Sequence, residues 1–411
     1  MDKEANPGNY HPDLFTPGKI GHLTLRNRTI RSAAFEGMCP GNKPSDDLLK
    51  YHQSVAAGGI GMTTVAYAAV HQSGLSFPHQ LWLRPEVITD LRKLTDSVHK
   101  EGAAASIQIG HCGLMAKRSI AGGLPLAPSG GFNLYGLTFP RSMNEKDIDE
   151  IIDSFGEAVN IACESGFDAV EVHAGHGYLI SQFLSPFLNK RKDKWGGSFE
   201  NRTRFMVSVM RKVMSAAKSK IAVLVKMNMR DAVRGGMETD ESIRVAMILE
   251  EMGVDSLVLS GGLVSRSPLY VMRGRIPAQI MGKGLKNPFM KFGISLFGEF
   301  LMKAEPFSEI YFLEDAINFR SVIKIPLVYV GGLVSIENIT KVMNQGFEFV
   351  SFARPLVHDP GFINKLKSGE VVKSGCNHSN YCIAVMYSGK MKCYQNEDDL
   401  PEKWRKRLEM V

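Results

Sequence analysis

The chain has 411 residues, 44% hydrophobic and 22% charged, a composition of folded globular proteins that excludes a disordered or fibrous chain. Its net charge of +7 is spread along the sequence apart from a basic end, "KWRKR"; the excess suits anionic ligands, and with no nucleic-acid motif beside it a nucleic-acid role is set aside. The N-terminal "MDKEANPGNYHPDLF" lacks the apolar core of a signal peptide, no apolar run is long enough for a membrane span, and six cysteines do not make a disulfide framework. A cytoplasmic protein is expected.

Along the chain, short apolar or β-branched runs alternate with helical patterns. The runs are "TIRSAAF" (29–35), "GMTTVAYAAV" (61–70), "AAASIQIG" (103–110), "DAVEVHA" (168–174), "AVLVKMN" (222–228), "DSLVLSGG" (255–262), "PLVYVGG" (326–332) and "EFVSFARP" (348–355). Near-continuous apolar strands are buried on both faces, as in parallel sheets. Between them, "NEKDIDEIIDSFGEAVNIACESG" carries Ile148, Ile151, Ile152, Phe155 and Val159 on one stripe, with Asn144 and Asp147 as a capping signal and Gly166 as a stop. Such β-then-α units predict an α/β fold, a (β/α)8 TIM barrel, in preference to a doubly wound sheet.

One connection breaks the rhythm. The stretch from "GGLVSRSPLY" to "IPLVYVGG" far exceeds an ordinary barrel loop of a few residues. Its part from about 264 to 308, rich in Met, Phe, Gly and Lys, is an insertion before the last two strands. It is read as a lid, with an oligomer contact as the alternative. The barrel unit is taken as 1–395, including this insertion and a cysteine-containing segment 374–395. A basic tail follows at 396–411.

Chemistry in such barrels gathers at the C-terminal strand ends. The polar residues there are Gln108, His111, His173, His176, Tyr178, Lys226, Asn228, Ser260, Gly331, Gly332 and Arg354. In "VEVHAGHGYLISQFLSP", His173 and His176 stand three apart with Tyr178 just beyond. A metal site, a catalytic group and a polar turn all suit this pattern. Zinc needs at least a third ligand, and none is supplied locally. A tyrosine, with an unperturbed pKa of about 10, arrives protonated and can act as an acid. The Gly331–Gly332 pair allows either a tight turn or close backbone approach to a phosphate.

The stretch "HAGHGYLISQFLSPFLNKRKDKWGGSFENRTRF" resembles the signature of the old yellow enzyme family of FMN-dependent ene reductases. It is most similar to the branch containing 2,4-dienoyl-CoA reductase and trimethylamine dehydrogenase. "LRNRTIRSAAFEGM", "VHKEGAAASIQIGHCG" and "IPLVYVGGL…GFEFVSFARPLVHDP" support the likeness, which runs from about residue 13 to 395. The resemblance implies FMN, with NADH or NADPH as reductant and ping-pong turnover. His173 and His176 would donate to the substrate's carbonyl oxygen, where hydride addition to an activated alkene builds charge, and Tyr178 would give the proton. Gln108 would meet the flavin's pyrimidine edge. Lys226 stands where many members carry arginine, keeping the charge without the planar fork. Ser32, Ala33 and Ala34 would lie beneath the ring. Gly331, Gly332, Ala353 and Arg354 would hold the phosphate. Arg191, Trp195 and "ENR" (200–202) are read as scaffold built on Arg–Glu pairing.

The C-terminus departs from the branch pattern. Relatives bind an iron–sulfur cluster through four cysteines. Here Cys376, Cys382 and Cys393 are retained, and Ser379 stands where another ligand would be. Three thiolates fall short of the usual four, so neither a cluster nor another metal is expected. Zinc on three cysteines and His378 is the alternative weighed. The implied substrate is a small molecule, an apolar enone or acyl thioester. A homo-oligomer and a separate redox partner protein stay open. The alternatives to alkene reduction are a flavin dehydrogenase run in the oxidative direction and an electron-transfer protein with no substrate of its own.

Overall fold

Strands that are apolar on both faces must be covered on both, and here they achieve this by closing into a cylinder wrapped in helices. The computed structural model describes residues 13–133, 138–274, 277, 304–386 and 389–395. The barrel strands are β1 (Thr29–Arg31), β2 (Met62–Ala69), β3 (Ala104–Gly110), β4 (Ala169–Ala174), β5 (Ala222–Asn228), β6 (Ser256–Ser260), β7 (Leu327–Val330) and β8 (Phe349–Phe352). Each pairs in parallel with the next, and β8 pairs with β1 to close the ring. The principal helices after them are α1 (Asp46–Ala57), α2 (Ile88–Lys100), α3 (Glu145–Glu164), α4 (Phe199–Ala217), α5 (Thr239–Glu251), α6 (Leu313–Arg320), α7 (Ile336–Met343) and α8 (Phe362–Ser368). This is the expected (β/α)8 barrel, and each predicted apolar run contains one of its strands.

Among its hydrophobic clusters, two pack against the barrel strands throughout. The larger lies between strands and helices and includes Phe155, Phe205 and Phe183, the last two stacked at 4.2 Å. The smaller fills the lower interior with Ile30, Met62, Leu224, Val258 and Phe349. A hairpin of Gly18–Ile20 and Leu23–Leu25 caps that end and drives Ile20 and Leu25 into the smaller core. The bottom is thereby filled with hydrocarbon, and the cavity lies at the opposite end.

Helices α1, α3, α4 and α7 start on side-chain caps, Ser45, Asn144, Ser198 and Ser335. Asn144 Oδ1 accepts from the Asp147 amide at 2.9 Å, and Asp147 Oδ2 accepts from the Asn144 amide at 2.8 Å, a reciprocal capping box on α3. The signature loop is scaffold. Arg191 donates to the carbonyls of Pro128 and Met143, and Trp195 Nε1 donates to Glu145 at 2.8 Å. The expected Arg–Glu pairing exists across elements: Arg202 pairs with Glu241 of α5, whereas its neighbour Glu200 meets Arg244. Among the described residues no helix is long and apolar enough to cross a membrane. Most of the insertion, residues 275–276 and 278–303, and the basic tail 396–411 lie outside the described residues.

Replacing the α3 cap, Asn144→Ala, should cost about 1 kcal/mol, read as a lower urea midpoint with an unchanged slope.

Candidate active site

Register decides which side chains meet at the open end. Gln108 on β3 is level with Glu171 on β4, and His173 on β4 is level with Lys226 on β5. Side chains alternate across a strand, so Glu171 and His173 share the inward face one layer apart. The result is a buried polar floor. Gln108 Nε2 donates to Glu171 Oε1 at 2.7 Å, Lys226 Nζ meets the same oxygen at 2.9 Å, and Nζ also reaches Ser32 Oγ at 3.3 Å. A charge inside a barrel is tolerated only when paired in this way.

Above the floor, the end of β4 turns sharply. His176 adopts φ +58° and Gly177 φ +77°, conformations uncommon for a non-glycine residue. Asn228 pins the turn. Its Oδ1 accepts from the His176 amide at 2.8 Å, while its Nδ2 donates to Asp231 and to the Gly262 carbonyl, both at 3.1 Å. A Cβ on Gly175 would stand 2.9 Å from that same Oδ1, so the position has no room for a side chain. The loop after β6 closes the other side, with the Val264 amide donating to the His176 carbonyl at 3.1 Å and Ser260 Oγ lying 2.7 Å from His176 Nε2.

The two imidazoles stand edge to face, 5.1 Å between centroids, and Tyr178 stacks on His173 at 4.0 Å and 17°. The Gly175 amide donates to His173 Nδ1 at 3.3 Å, so Nδ1 accepts and Nε2 carries the proton. Burial, then the neighbouring charges of His176 and Lys226, holds His173 well below the ordinary imidazole pKa. Burial and Lys226 bring His176 down to about 3. Both rings are neutral donors at physiological pH. Tyr67 packs edge-on against Tyr178 at 4.9 Å, but its hydroxyl donates to the Gly74 carbonyl at 2.9 Å.

All of this faces one cavity of about 260 Å³. Ser32, Ala33, Ala34, Gln108, His173, His176, Tyr178, Lys226, Gly331, Gly332, Ala353 and Arg354, the residues singled out in the sequence, all line it. His111 does not: it turns aside to Ser73 Oγ at 2.9 Å and accepts from the Gly113 amide. At the far end, Gly331 and Gly332 have φ +134° and +71°, and side chains there would press on Phe312 and on the Ile310 amide at 2.8 and 2.7 Å. Arg354 donates to Asn380 Oδ1 at 2.8 Å and lies over the ring of Phe307, on which His378 stacks at 3.5 Å. The described flanks of the insertion contribute Val264, Val271, Met272 and Phe307 to the wall.

Several lining or supporting residues escaped the sequence reading. Glu171 is hidden in "VEVHA", where period-two alternation beside His173 was the available signal. Tyr67 enters through a register shift between Val65 and Ala68, a bulge that turns both Ala66 and Tyr67 toward the cavity. The cysteine segment forms an outer wall through His378, Cys382, Ile383, Met386 and Met391. Cys376, Cys382 and Cys393 form no disulfide and surround a smaller void with His358, whose Nδ1 is 3.4 Å from Cys393 Sγ. Among the described residues no group of three or more His, Cys, Asp or Glu is arranged to hold a metal ion.

The residues present fit FMN. A cationic, hydrogen-bonding floor lies at one end of the cavity, and glycines with no room for side chains lie at the other. Residues 13–267 match the NADH:flavin oxidoreductase / NADH oxidase family. The chain is 39% identical to 4,4'-dithiodibutanoate disulfide reductase of Rhodococcus erythropolis, covering 92% of this chain and 94% of that one. It is 30% identical to NADH oxidase of Thermoanaerobacter brockii, covering 94% of this chain and 56% of that one. It spans about half the length of several other curated relatives. Among solved structures, the old yellow enzyme homologue from Zymomonas mobilis superposes with a TM-score of 0.72 at 20% identity, covering 95% of this chain and 99% of that one, a likeness of fold. The chain therefore belongs to the NADH:flavin oxidoreductase / NADH oxidase family, the old yellow enzyme family, and is an FMN-dependent NAD(P)H oxidoreductase.

Proposed function

We propose that the protein is an ene reductase, reducing the C=C bond of an α,β-unsaturated carbonyl or thioester with electrons from NADH or NADPH in ping-pong turnover. The observation that carries this reading is the pair of neutral imidazoles with Tyr178 stacked against one of them. Gln108 and Lys226 would hold the pyrimidine edge of FMN, Ser32, Ala33 and Ala34 would lie beneath the ring, and Gly331, Gly332, Ala353 and Arg354 would hold the phosphate. When bound, FMN supplies the hydride that reaches the β-carbon of the alkene.

The protein's own groups handle the oxygen and the proton. His173 Nε2–H donates to the substrate carbonyl oxygen. Ser260 can donate to His176 Nε2, which leaves Nδ1–H of that ring as the second donor. Such donors favour the charge that builds on the oxygen, and losing one typically costs about 10²–10³ in rate. Tyr178 passes its hydroxyl proton to the α-carbon and recovers one from water. Tyr67 is a poorer candidate for that step because its hydroxyl is engaged with Gly74.

A second reading is favoured by the full-length likeness to a disulfide reductase. In it the hydride goes to one sulfur of an organic disulfide, the S–S bond breaks, and Tyr178 protonates the departing thiolate, so that one disulfide, one hydride and one proton give two thiols.

The visible spectrum of the purified protein tests the assignment. Anaerobic NADH or NADPH should bleach the flavin bands, and 2-cyclohexenone should restore them. Restoration by 4,4'-dithiodibutanoate and not by the enone would replace the first reading with the second. In Tyr178→Phe, alkene reduction should fall about 10²–10⁴-fold while bleaching by the nicotinamide survives; unchanged turnover removes Tyr178 from the chemistry.

The neutral imidazoles also predict acid sensitivity. An unfolded chain takes up protons below the ordinary histidine pKa of about 6.5, and the folded chain refuses them at His176 until about pH 3. Stability is therefore full above pH 6.5 and is lost as pH falls toward 3, by up to about 1.4 kcal/mol per pH unit for each such ring. Urea unfolding at pH 7, 6 and 5 should show a shallower loss in His176→Asn than in the parent. Equal slopes would mean that His176 is not held neutral.

A further inference from the structure

Glu171 is 3% exposed and Lys226 is 2% exposed, yet only Lys226 lines the cavity. Glu171 thus touches no ligand there and acts through its neighbours. It has two, and both converge on the single oxygen Oε1: Gln108 Nε2 at 2.7 Å and Lys226 Nζ at 2.9 Å. A carboxylate can only accept. The Gln108 amide must therefore turn its nitrogen toward Glu171, which leaves its oxygen as the acceptor for a ligand in the cavity. An amide alone has no preference between its two ends. Lys226, for its part, has three N–H donors. Two are directed at Glu171 and Ser32, and its positive charge is matched by the carboxylate in the layer beneath.

We propose that Glu171 is the positioning residue of the flavin site: it fixes the orientation of the Gln108 amide and offsets the charge of Lys226, and so sets how strongly the pocket favours reduced, anionic FMN over oxidised FMN. This rests on the FMN reading above. With the carboxylate in place the ligand meets a nearly neutral pair. Without it the ligand meets an uncompensated cation, which favours the anionic form. A carboxylate present only to satisfy a buried lysine would leave the flavin's potential unchanged when the carboxylate alone is removed.

The test is the midpoint potential of the FMN-loaded protein in E171Q, K226Q and the double variant E171Q/K226Q, together with thermal unfolding of the apoproteins. In E171Q reduced FMN should be favoured at least tenfold more than in the parent, a rise of about 30 mV for a two-electron couple. K226Q, left with an unpaired anion, should fall below the parent, and the double variant should return toward the parent value. Apoprotein E171Q should unfold at a lower temperature than the parent, and the double variant should recover part of the loss, because a lone buried charge is costlier than none. An E171Q potential equal to the parent's overturns the proposal. If E171Q does not accumulate as folded protein, K226Q against the double variant still decides: equal potentials mean that Glu171 contributes nothing. A parent protein that takes up no FMN overturns the flavin reading itself, an outcome distinct from either of these.

Discussion

A closed barrel can be filled only by what its strands turn inward, and the site follows from how that filling changes along the axis. Below, the interior is hydrocarbon: Ile30, Met62, Leu224, Val258 and Phe349, with Ile20 and Leu25 of the hairpin as the stopper. One layer up, β4 and β5 bring in Glu171 and Lys226, a full negative and a full positive charge with almost no exposure. Neither is tolerable there alone. Their pairing at 2.9 Å lets an ammonium stand at the cavity floor in a water-poor setting. The same ammonium reaches further: beside burial, it lowers the pKa of both His173 and His176. Floor and donors are thus coupled: burial is the larger cause that lowers the pKa of the rings above, and the cation below adds to it.

The open end of β4 is compact because the candidate donors of the site come from one short segment. His173, His176 and Tyr178 lie within six residues, so their spacing depends on the turn between them. That turn is held from outside, by Asn228 at the end of β5, by Ser260 at the end of β6 and by Val264 beyond it. Asn228 is itself oriented by Asp231. Neighbouring strands thereby pay the conformational cost of a left-handed histidine, and the barrel's rigidity passes to a loop that would otherwise sample many shapes. Gly175 belongs to this economy of space: its missing side chain is where the asparagine oxygen sits.

The strands were legible because burial on both faces leaves a simple trace, an apolar run bounded by turns. The α3 cap was legible because Asn144 and Asp147 act over three residues of local sequence. What stayed hidden depends on contacts between distant segments. The hairpin at 18–25 has only three residues in each strand, too little alternation to stand out before its packing against the bottom of the barrel is known. The Ala66–Tyr67 bulge is a mismatch between two strands and has no signature in either one. Glu171 looked like an ordinary strand residue because its meaning lies in Gln108 and Lys226, which are 63 and 55 positions away. The cysteine segment was read by its count of thiols, whereas its structural part is to close the cavity with His378, Cys382 and Met386, work that any residue of suitable shape could share.

The two chemical readings place different demands on the same donors. A carbonyl oxygen gathers negative charge in a small, hard orbital set, and two neutral N–H groups aimed at one point are well matched to it. Thiol and thioether sulfur is a weak acceptor, and a disulfide presents two such atoms with no single locus of charge until the bond has stretched. The His173–His176 pair is therefore worth most for a carbonyl substrate. Its elaborate support through Asn228, Ser260 and the Gly175 amide would be largely idle for a disulfide, where positioning of the proton donor at Tyr178 is the main need. The relative that matches 92% of this chain is named for a disulfide, whereas a pair of neutral N–H donors would suit an oxygen. Likeness reports ancestry along the entire scaffold, most of which is barrel, whereas the donor geometry reports the few atoms that meet the substrate. Where the two diverge, the local geometry bears more directly on the chemistry.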